Sequence, residues 1–298
     1  MMATEYYTFT GRVGEEIPQH ITHVLIDRAL KFVPGWAFIY HPNIEEVICH
    51  DGVEKIEELA FYHCPRLRRV IMPGVKIIQF RAFDGCRALT YIECGKLEII
   101  VREAFLLCES LSSIDLPSIK TVERYAFGQC RELTNAKFGK ELESFGRTVF
   151  CGCTSLERIT LPLKNGIISH DDTFRLCFKL NHIDLVEGVH KTIAALLLEK
   201  WRNEMYEEID SISQILPNTS AGRIFGDGLV LGGRGGKADV IRLWITSVLH
   251  KFTHYKTEHR RILSEATVTL QSVLPNDIVL KNILPFLELP PHTFEGEN

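Results

Sequence analysis

Residues 104–116, AFLLCESLSSIDL, decide the fold because their spacing of residue types recurs along most of the chain. Phe105 in this stretch belongs to a series of phenylalanines that lie 22 to 24 residues apart. The members of the series are Phe38, Phe61, Phe83, Phe105, Phe127, Phe150 and Phe174. A fixed period in this range is typical of a solenoid, in which each repeat is one structural unit stacked on the next.

Each repeat also carries apolar residues six, nine and eleven positions after the phenylalanine. In the quoted stretch these residues are Leu111, Ile114 and Leu116. Apolar and variable residues alternate at the end of the unit, which is the pattern of a β-strand with one buried face. We therefore predict one short strand per repeat, stacked in parallel about 4.8 Å from its neighbours over a continuous apolar interior.

A second apolar position lies five residues before each phenylalanine, as at Ile100, although Ser169 occupies it in the last repeat. Alanine usually precedes the phenylalanine, as at Ala104, which indicates tight packing. Six of the nine cysteines lie three residues after a repeat phenylalanine, namely Cys64, Cys86, Cys108, Cys130, Cys153 and Cys177. We interpret them as buried free thiols, because a buried thiol packs like a small apolar side chain.

The combined pattern I-x-x-x-A-F-x-x-C-x-x-L-x-x-I-x-L resembles the leucine-rich repeats of the BspA-like (Treponema pallidum) type, found in bacteria and in protists such as diatoms. It covers about residues 17–187 as some seven repeats. The resemblance implies an α/β leucine-rich-repeat solenoid with a parallel sheet on one face and short strands or helical turns on the other. It also implies binding of proteins or surface ligands through the sheet side, with no catalytic residues.

Beyond Gly188 the apolar residues recur at steps of three and four, which predicts helices. We predict a capping helix over 188–216, a Gly-rich loop over 217–237, further helices over 238–287 and a tail over 288–298, with an N-terminal segment over 1–16. A cap is expected because the last repeat would otherwise expose its apolar interior. The C-terminal helices are also a candidate oligomerisation surface.

Charge and hydropathy indicate which classes of partner to exclude and where in the cell to expect the protein. The net charge is −4 with both signs well represented, so we expect no nucleic-acid partner. The chain begins without a secretory signal pattern, and its longest apolar run is far shorter than the ~20 residues that span a bilayer. We therefore expect no membrane association and a cytoplasmic location, with the nucleus as the alternative.

Two local motifs suggest chemistry and are rejected. Residues 232–237, GGRGGK, lie before a predicted helix, but a phosphate-binding Walker loop needs Gly at Leu231 and Ser or Thr at Ala238. His250 and His254 have the spacing of two metal ligands on one helix face, yet no third ligand is evident. We predict a protein that is not an enzyme, with no catalytic residues, no metal site and no cofactor.

A second function class remains open. Residues 274–287, LPNDIVLKNILPFL, resemble the core of an F-box, in which short helices dock on a ubiquitin-ligase adaptor. The segment is shorter than an F-box and lies at the C-terminus, whereas an F-box usually precedes its repeats. The alternative hypothesis is therefore a substrate adaptor of a ubiquitin ligase.

The leading hypothesis is a protein–protein interaction module that binds an unidentified partner protein through the concave sheet face. Within each strand the residues between the buried positions point outward and form two columns. We predict that the partner-binding residues are His23, Glu46, Arg69, Tyr91, Ser113, Asn135, Arg158 and His182 of the first column and Glu93, Asp115, Lys137 and Asp184 of the second. Tyr and Arg are among the residue types enriched at binding hot spots.

Overall fold

The structure is a computed structural model that describes residues 6–186, 188–219, 223–224, 230–231 and 236–273. Most of the strands have two to four residues and lie in the first two thirds of the chain. In chain order they are β1 (Tyr7–Phe9), β2 (His23–Ile26), β3 (Phe32–Val33), β4 (Glu46–Ile48), β5 (Lys55–Ile56), β6 (Arg69–Ile71), β7 (Ile77–Ile78), β8 (Tyr91–Glu93), β9 (Ile99–Ile100), β10 (Ser113–Leu116), β11 (Thr121–Val122), β12 (Asn135–Phe138), β13 (Ser144–Phe145), β14 (Arg158–Leu161), β15 (His182–Leu185), β16 (Arg223–Ile224) and β17 (Val230–Leu231).

Strands β1 to β15 form two parallel ladders, which confirms the predicted solenoid. The front ladder contains β1, β2, β4, β6, β8, β10, β12, β14 and β15, and it carries the strands predicted from the leucine positions. The back ladder contains β3, β5, β7, β9, β11 and β13 in one continuous sheet. Each step pairs residues one repeat apart, as Val47 pairs with Val70 and Ile78 with Ile100.

The front ladder is not one continuous sheet, contrary to the prediction. It divides into a five-stranded sheet that ends at β8 and a four-stranded sheet that begins at β10. A step of 22 residues between these strands would place Glu93 directly opposite Asp115. Like charges opposite each other on adjacent strands destabilise the pairing.

Stacked phenylalanine rings fill the interior between the ladders. Consecutive rings from Phe38 to Phe174 have centroids 5.0 to 5.8 Å apart and interplanar angles of 2° to 7°. Apolar side chains from both ladders surround them, and Leu111 and Val122 are fully buried. The interior is therefore one hydrophobic core that runs along the whole solenoid.

The six repeat cysteines are buried free thiols, as predicted. Each Sγ donates to the carbonyl of the phenylalanine in the preceding repeat; Cys108 Sγ lies 3.3 Å from Phe83 O and Cys153 Sγ 3.0 Å from Phe127 O. A thiol thus combines small size with a weak hydrogen-bond donor. Tight packing favours a small side chain at this position, and the carbonyl favours one that carries a donor.

The turn around each phenylalanine uses left-handed backbone at residues other than glycine. Glu103 has φ 62° and Leu107 has φ 59°, two residues before and two after Phe105. Such conformations cost of order 1 kcal/mol or more each and persist where the surroundings impose them. Here the amides of residues 103, 105 and 107 donate at 2.9 Å to carbonyls of the next repeat, at Arg124, Ala126 and Gly128. The turns therefore form a third hydrogen-bonded ladder.

The ends of the solenoid differ from the sequence prediction in two details. At the N-terminus, β1 pairs with β2 and adds a strand before the first predicted one. In the last repeat Ile168, rather than Ser169, occupies the apolar position: it bridges to Phe145 and is 2% exposed. The 24-residue interval before Phe174 shifts the register by one residue, so the assignment of Ser169 was wrong.

Three helices follow the solenoid: α1 (Val189–Ala194), α2 (Glu199–Ile215) and α3 (Lys237–Gln271). The single capping helix predicted over 188–216 is wrong, because residues 195–198 interrupt it and Leu198 has extended backbone (φ −96°, ψ 132°). A short 3-10 helix, Leu216–Asn218, follows α2. Helix α3 is one continuous helix of 35 residues.

Two basic residues of α3 form hydrogen bonds that connect the helices to the last repeat. Lys237 is buried, and its Nζ donates to Leu180 O at 2.5 Å and to Leu216 O at 2.8 Å. Arg242 donates through Nε to Ile168 O and through Nη2 to Asp171 Oδ1, both at 2.8 Å. The C-terminal helical region thus contacts the end of the repeats, as expected of a cap.

Candidate partner-binding face

The outward side chains of the front ladder form a surface that we call the strand face. Its first column contains His23, Glu46, Arg69, Tyr91, Ser113, Asn135, Arg158 and His182, and its second contains Leu25, Ile48, Ile71, Glu93, Asp115, Lys137, Thr160 and Asp184. All are exposed or half-buried, whereas the residues between the columns are mostly buried. The predicted partner-binding residues thus lie on one surface, and their role in binding remains a prediction.

The N-terminal half of the strand face holds a connected polar network. Glu46 accepts a hydrogen bond from Tyr6 Oη at 2.6 Å and from Arg69 Nη1 at 3.0 Å. The Arg69 guanidinium in turn lies 5.4 Å from the centre of the Tyr91 ring, a cation–π contact. Arg69 is therefore fixed from both sides on an exposed surface.

Tyr6 belongs to this surface although it was not predicted from the sequence. Its side chain is 39% exposed, and its ring packs edge-on against His23 with centroids 5.2 Å apart. The hydrogen bond to Glu46 is the main cause that raises the pKa of the Tyr6 hydroxyl. The alternation of Tyr7 and Phe9, which points their side chains inward as part of β1, is the sequence signal that would have placed Tyr6 outward.

An apolar strip lies beside this network. Leu25, Ile48 and Ile71 are in-register neighbours in the second column, and Leu25 is 38% exposed. The N-terminal half therefore combines an aromatic ring, a fixed arginine and exposed aliphatic surface. Aromatic and arginine side chains on partly apolar surface are the composition found at the centres of protein interfaces.

The C-terminal half carries mainly charged pairs. Arg158 Nη1 contacts both carboxylate oxygens of Asp184 at 2.9 and 2.8 Å, and Lys137 Nζ lies 3.7 Å from Asp115. All four side chains are at least 40% exposed, and such pairs stabilise a fold by about 0–1 kcal/mol. Arg158, Asp184, Lys137 and Asp115 thus already have partners of opposite charge on the molecule.

The remaining chemical motifs have the following positions. His250 and His254 are exposed on α3, and among the described residues there is no group of three or more His, Cys, Asp or Glu side chains placed to hold a metal. Lys237, the last residue of the Gly-rich motif, points into the cap. Gly232 to Gly235 and the F-box-like segment 274–287 lie outside the described residues.

The cysteines are poorly suited to nucleophilic chemistry. Burial raises the pKa of Cys49 and Cys94 to about 12, and it raises the pKa of Cys108 and Cys153 well above the ordinary value. A reactive cysteine needs the opposite, an accessible thiol with a lowered pKa. All four thiols are packed in the core, and those of Cys108 and Cys153 also donate weak hydrogen bonds to carbonyls.

The family model described as "BspA type Leucine rich repeat region (6 copies)" matches residues 31–155 and 98–200. The chain belongs to this family. Leucine-rich repeats of this kind form protein-interaction modules and are typically non-catalytic. Among the described residues, no helix has both the length and the hydropathy of a membrane-spanning segment.

Solved structures similar to this BspA-type repeat protein come from bacteria. The T. pallidum leucine-rich repeat protein TpLRR is 27% identical over 47% of this chain and 69% of its own, with a TM-score of 0.43. The pneumococcal vaccine antigen PcpA is 17% identical over 56% of this chain and 46% of its own, with a TM-score of 0.45. A leucine-rich repeat protein from Bacteroides ovatus is 18% identical over 62% and 70%, with a TM-score of 0.31. No curated protein sequence matches the chain.

Proposed function

We propose that this protein binds another protein through the strand face, and that the N-terminal half of that face supplies most of the binding energy. The observation that supports this proposal is the arrangement of Arg69, which is bonded to Glu46, stacked on Tyr91 and flanked by the half-buried Ile48 and Ile71. A fixed side chain loses little conformational freedom on binding, so less of the contact energy is spent on ordering it.

The C-terminal half contributes less in this proposal. Arg158 can contact a partner strongly only by leaving Asp184, or by binding together with it. Exposed charged pairs at the edge of an interface mainly affect association rate and salt dependence. The predicted residues Ser113, Asn135 and His182 then complete the contact area.

The experiment is affinity purification of the tagged full chain from its native cells, followed by mass spectrometry. The test variant combines Arg69→Glu and Tyr91→Ala. The matched control combines Arg124→Glu and Tyr125→Ala, because Arg124 lies 5.0 Å from the Tyr125 ring in a similar pair on the turn side. We expect partners bound by the wild type and the control to be lost from the test variant.

A second variant, Arg158→Glu, separates the two halves of the face. We expect it to retain the same partners with weaker, more salt-sensitive binding. Partners retained by the Arg69→Glu/Tyr91→Ala variant would place the binding site elsewhere. Recovery of a ubiquitin-ligase adaptor that disappears on deletion of residues 274–298 would instead favour the F-box-like alternative.

A further inference from the structure

The front ladder is interrupted between β8 and β10, whereas the rest of the solenoid continues across the same two repeats. In the back ladder Thr121 pairs with Ile99. On the turn side, the Gly85 amide donates to Leu106 O at 2.9 Å. The repeats are therefore joined on two sides and separated only along the strand face.

The hydrogen bonds identify the place of separation. The amides of Thr90 and Tyr91 both donate to Arg68 O, at 2.9 and 3.1 Å. One repeat later, within the described residues, the amides of Ser112 and Ser113 make no equivalent bond to Thr90 O. These two amides are thus the specific groups that a closed ladder would bond.

The charges at this step differ from those at its neighbours. Closure in the usual register would bring Glu93 opposite Asp115, and both side chains are exposed. At the next step Asp115 lies opposite Lys137, and earlier in the ladder Glu46 lies opposite Arg69. Among the described residues of the two columns, Glu93 and Asp115 are the one pair of carboxylates in successive strands. The ladder is interrupted between the strands that carry them.

The packing beneath the step is also loosened. Ile92 is half-buried, whereas its counterparts in the neighbouring strands, Val70 and Ile114, are at most 3% exposed. Closing the ladder would cover Ile92 and satisfy the two amides. Repulsion between the two carboxylates, reduced by the contact of 3.7 Å between Lys137 and Asp115, would oppose a closure that packing and hydrogen bonding favour.

We propose that this step is a hinge, held open by repulsion between Glu93 and Asp115. The hinge has two arrangements: the open one, with separate five- and four-stranded sheets, and a closed one, with a continuous front ladder. Neutralising either carboxylate shifts the population toward the closed arrangement. The hinge is a property of the isolated chain and does not depend on the proposed partner.

Amide hydrogen exchange on the purified full chain, resolved to single residues, tests the hinge. We expect Glu93→Gln to slow exchange of the Ser112 and Ser113 amides about fivefold or more, as relief of a like-charge pair together with new hydrogen bonds predicts. Asp115→Asn should give the same result, and the double variant should add little. Asp184→Asn, which neutralises a carboxylate at the edge of the same column, is the control and should leave these amides unchanged.

Raising the salt concentration tests the hinge in the wild-type protein, without a substitution. At about 1 M NaCl the screening length falls to about 3 Å, so the repulsion between two exposed carboxylates weakens. Exchange of the same amides in the wild type should slow, relative to the amides of β11 in the unbroken back ladder. Unchanged exchange in high salt, or in folded Glu93→Gln and Asp115→Asn variants, would overturn the hinge.

Discussion

Replacement of Asp84 by asparagine should stabilise the protein at neutral pH and have little effect at acidic pH. Asp84 is 3% exposed, and its Oδ1 has no hydrogen-bond partner among the described residues. Its Oδ2 lies 3.5 Å from Arg81 Nε, but that nitrogen makes its shorter contact, 2.5 Å, to Glu103. The buried carboxylate is therefore poorly compensated.

The expected magnitude follows from the pKa of this group. Burial raises the pKa of Asp84 from its ordinary 3.8 to about 6. The folded state thus holds the proton more tightly than the unfolded state does. The free energy of unfolding is therefore greatest below the ordinary pKa of 3.8, falls as the pH rises through the folded-state pKa of about 6, and stays low above it. At neutral pH the ionised carboxylate costs about 3 kcal/mol, which Asp84→Asn removes.

Urea unfolding followed by circular dichroism, between about pH 4 and pH 8, measures this difference. The free energies of unfolding of wild type and Asp84→Asn should agree near pH 4, and the variant should become the more stable by up to about 3 kcal/mol near pH 8. The control is Asp184→Asn, because Asp184 is 40% exposed at its side chain and pairs with Arg158 at 2.8 Å. That variant should lose at most about 1 kcal/mol. A difference between Asp84→Asn and wild type that does not change with pH would refute the reasoning.

Three further predictions concern the core, the cap and the thiols. Leu111→Ala should lower the free energy of unfolding by ~2–5 kcal/mol because Leu111 is fully buried, whereas Ser113→Ala should change it by less than about 0.5 kcal/mol. Lys237→Met should leave the carbonyls of Leu180 and Leu216 without their donor, destabilise the cap by ~1–3 kcal/mol and increase proteolysis within α3. All nine cysteines are buried and free, so native protein should resist iodoacetamide and gain nine adducts, counted by mass spectrometry, only after unfolding in urea.

The repeat interior was predictable from the sequence because stacking imposes the same environment on every copy. Phe105 stacks on its equivalents in both neighbouring repeats. The phenylalanine recurs in all seven repeats, and the cysteine and the leucine each recur in six, with His41 and Ile44 in the first repeat. Exceptions arise where the environment is not repeated. Strand β1 has no preceding repeat with which to be aligned, and Ile168 takes the position assigned to Ser169 because the last interval is longer.

The strand face was predictable as a set of positions but not as a set of interactions. The pairing of Arg69 with Glu46, and the opposition of Glu93 and Asp115, depend on residues from adjacent repeats at one register, which no single repeat contains.

The break between α1 and α2 could not be predicted from the sequence for another reason. Ile193, Leu196 and Leu197 continue the helical period through it, and no proline or glycine marks the interruption.

The thiol-to-carbonyl bond determines which part of each repeat can vary in length. Because each cysteine must reach the phenylalanine carbonyl of the preceding unit, the segment from phenylalanine through the strand keeps its length, and the variation from 22 to 24 residues falls between that strand and the next phenylalanine. An insertion in that later segment is absorbed locally, whereas one between phenylalanine and cysteine would disconnect two units. Duplication of a whole unit preserves every such bond, so the array can lengthen or shorten in evolution without redesign of its interior.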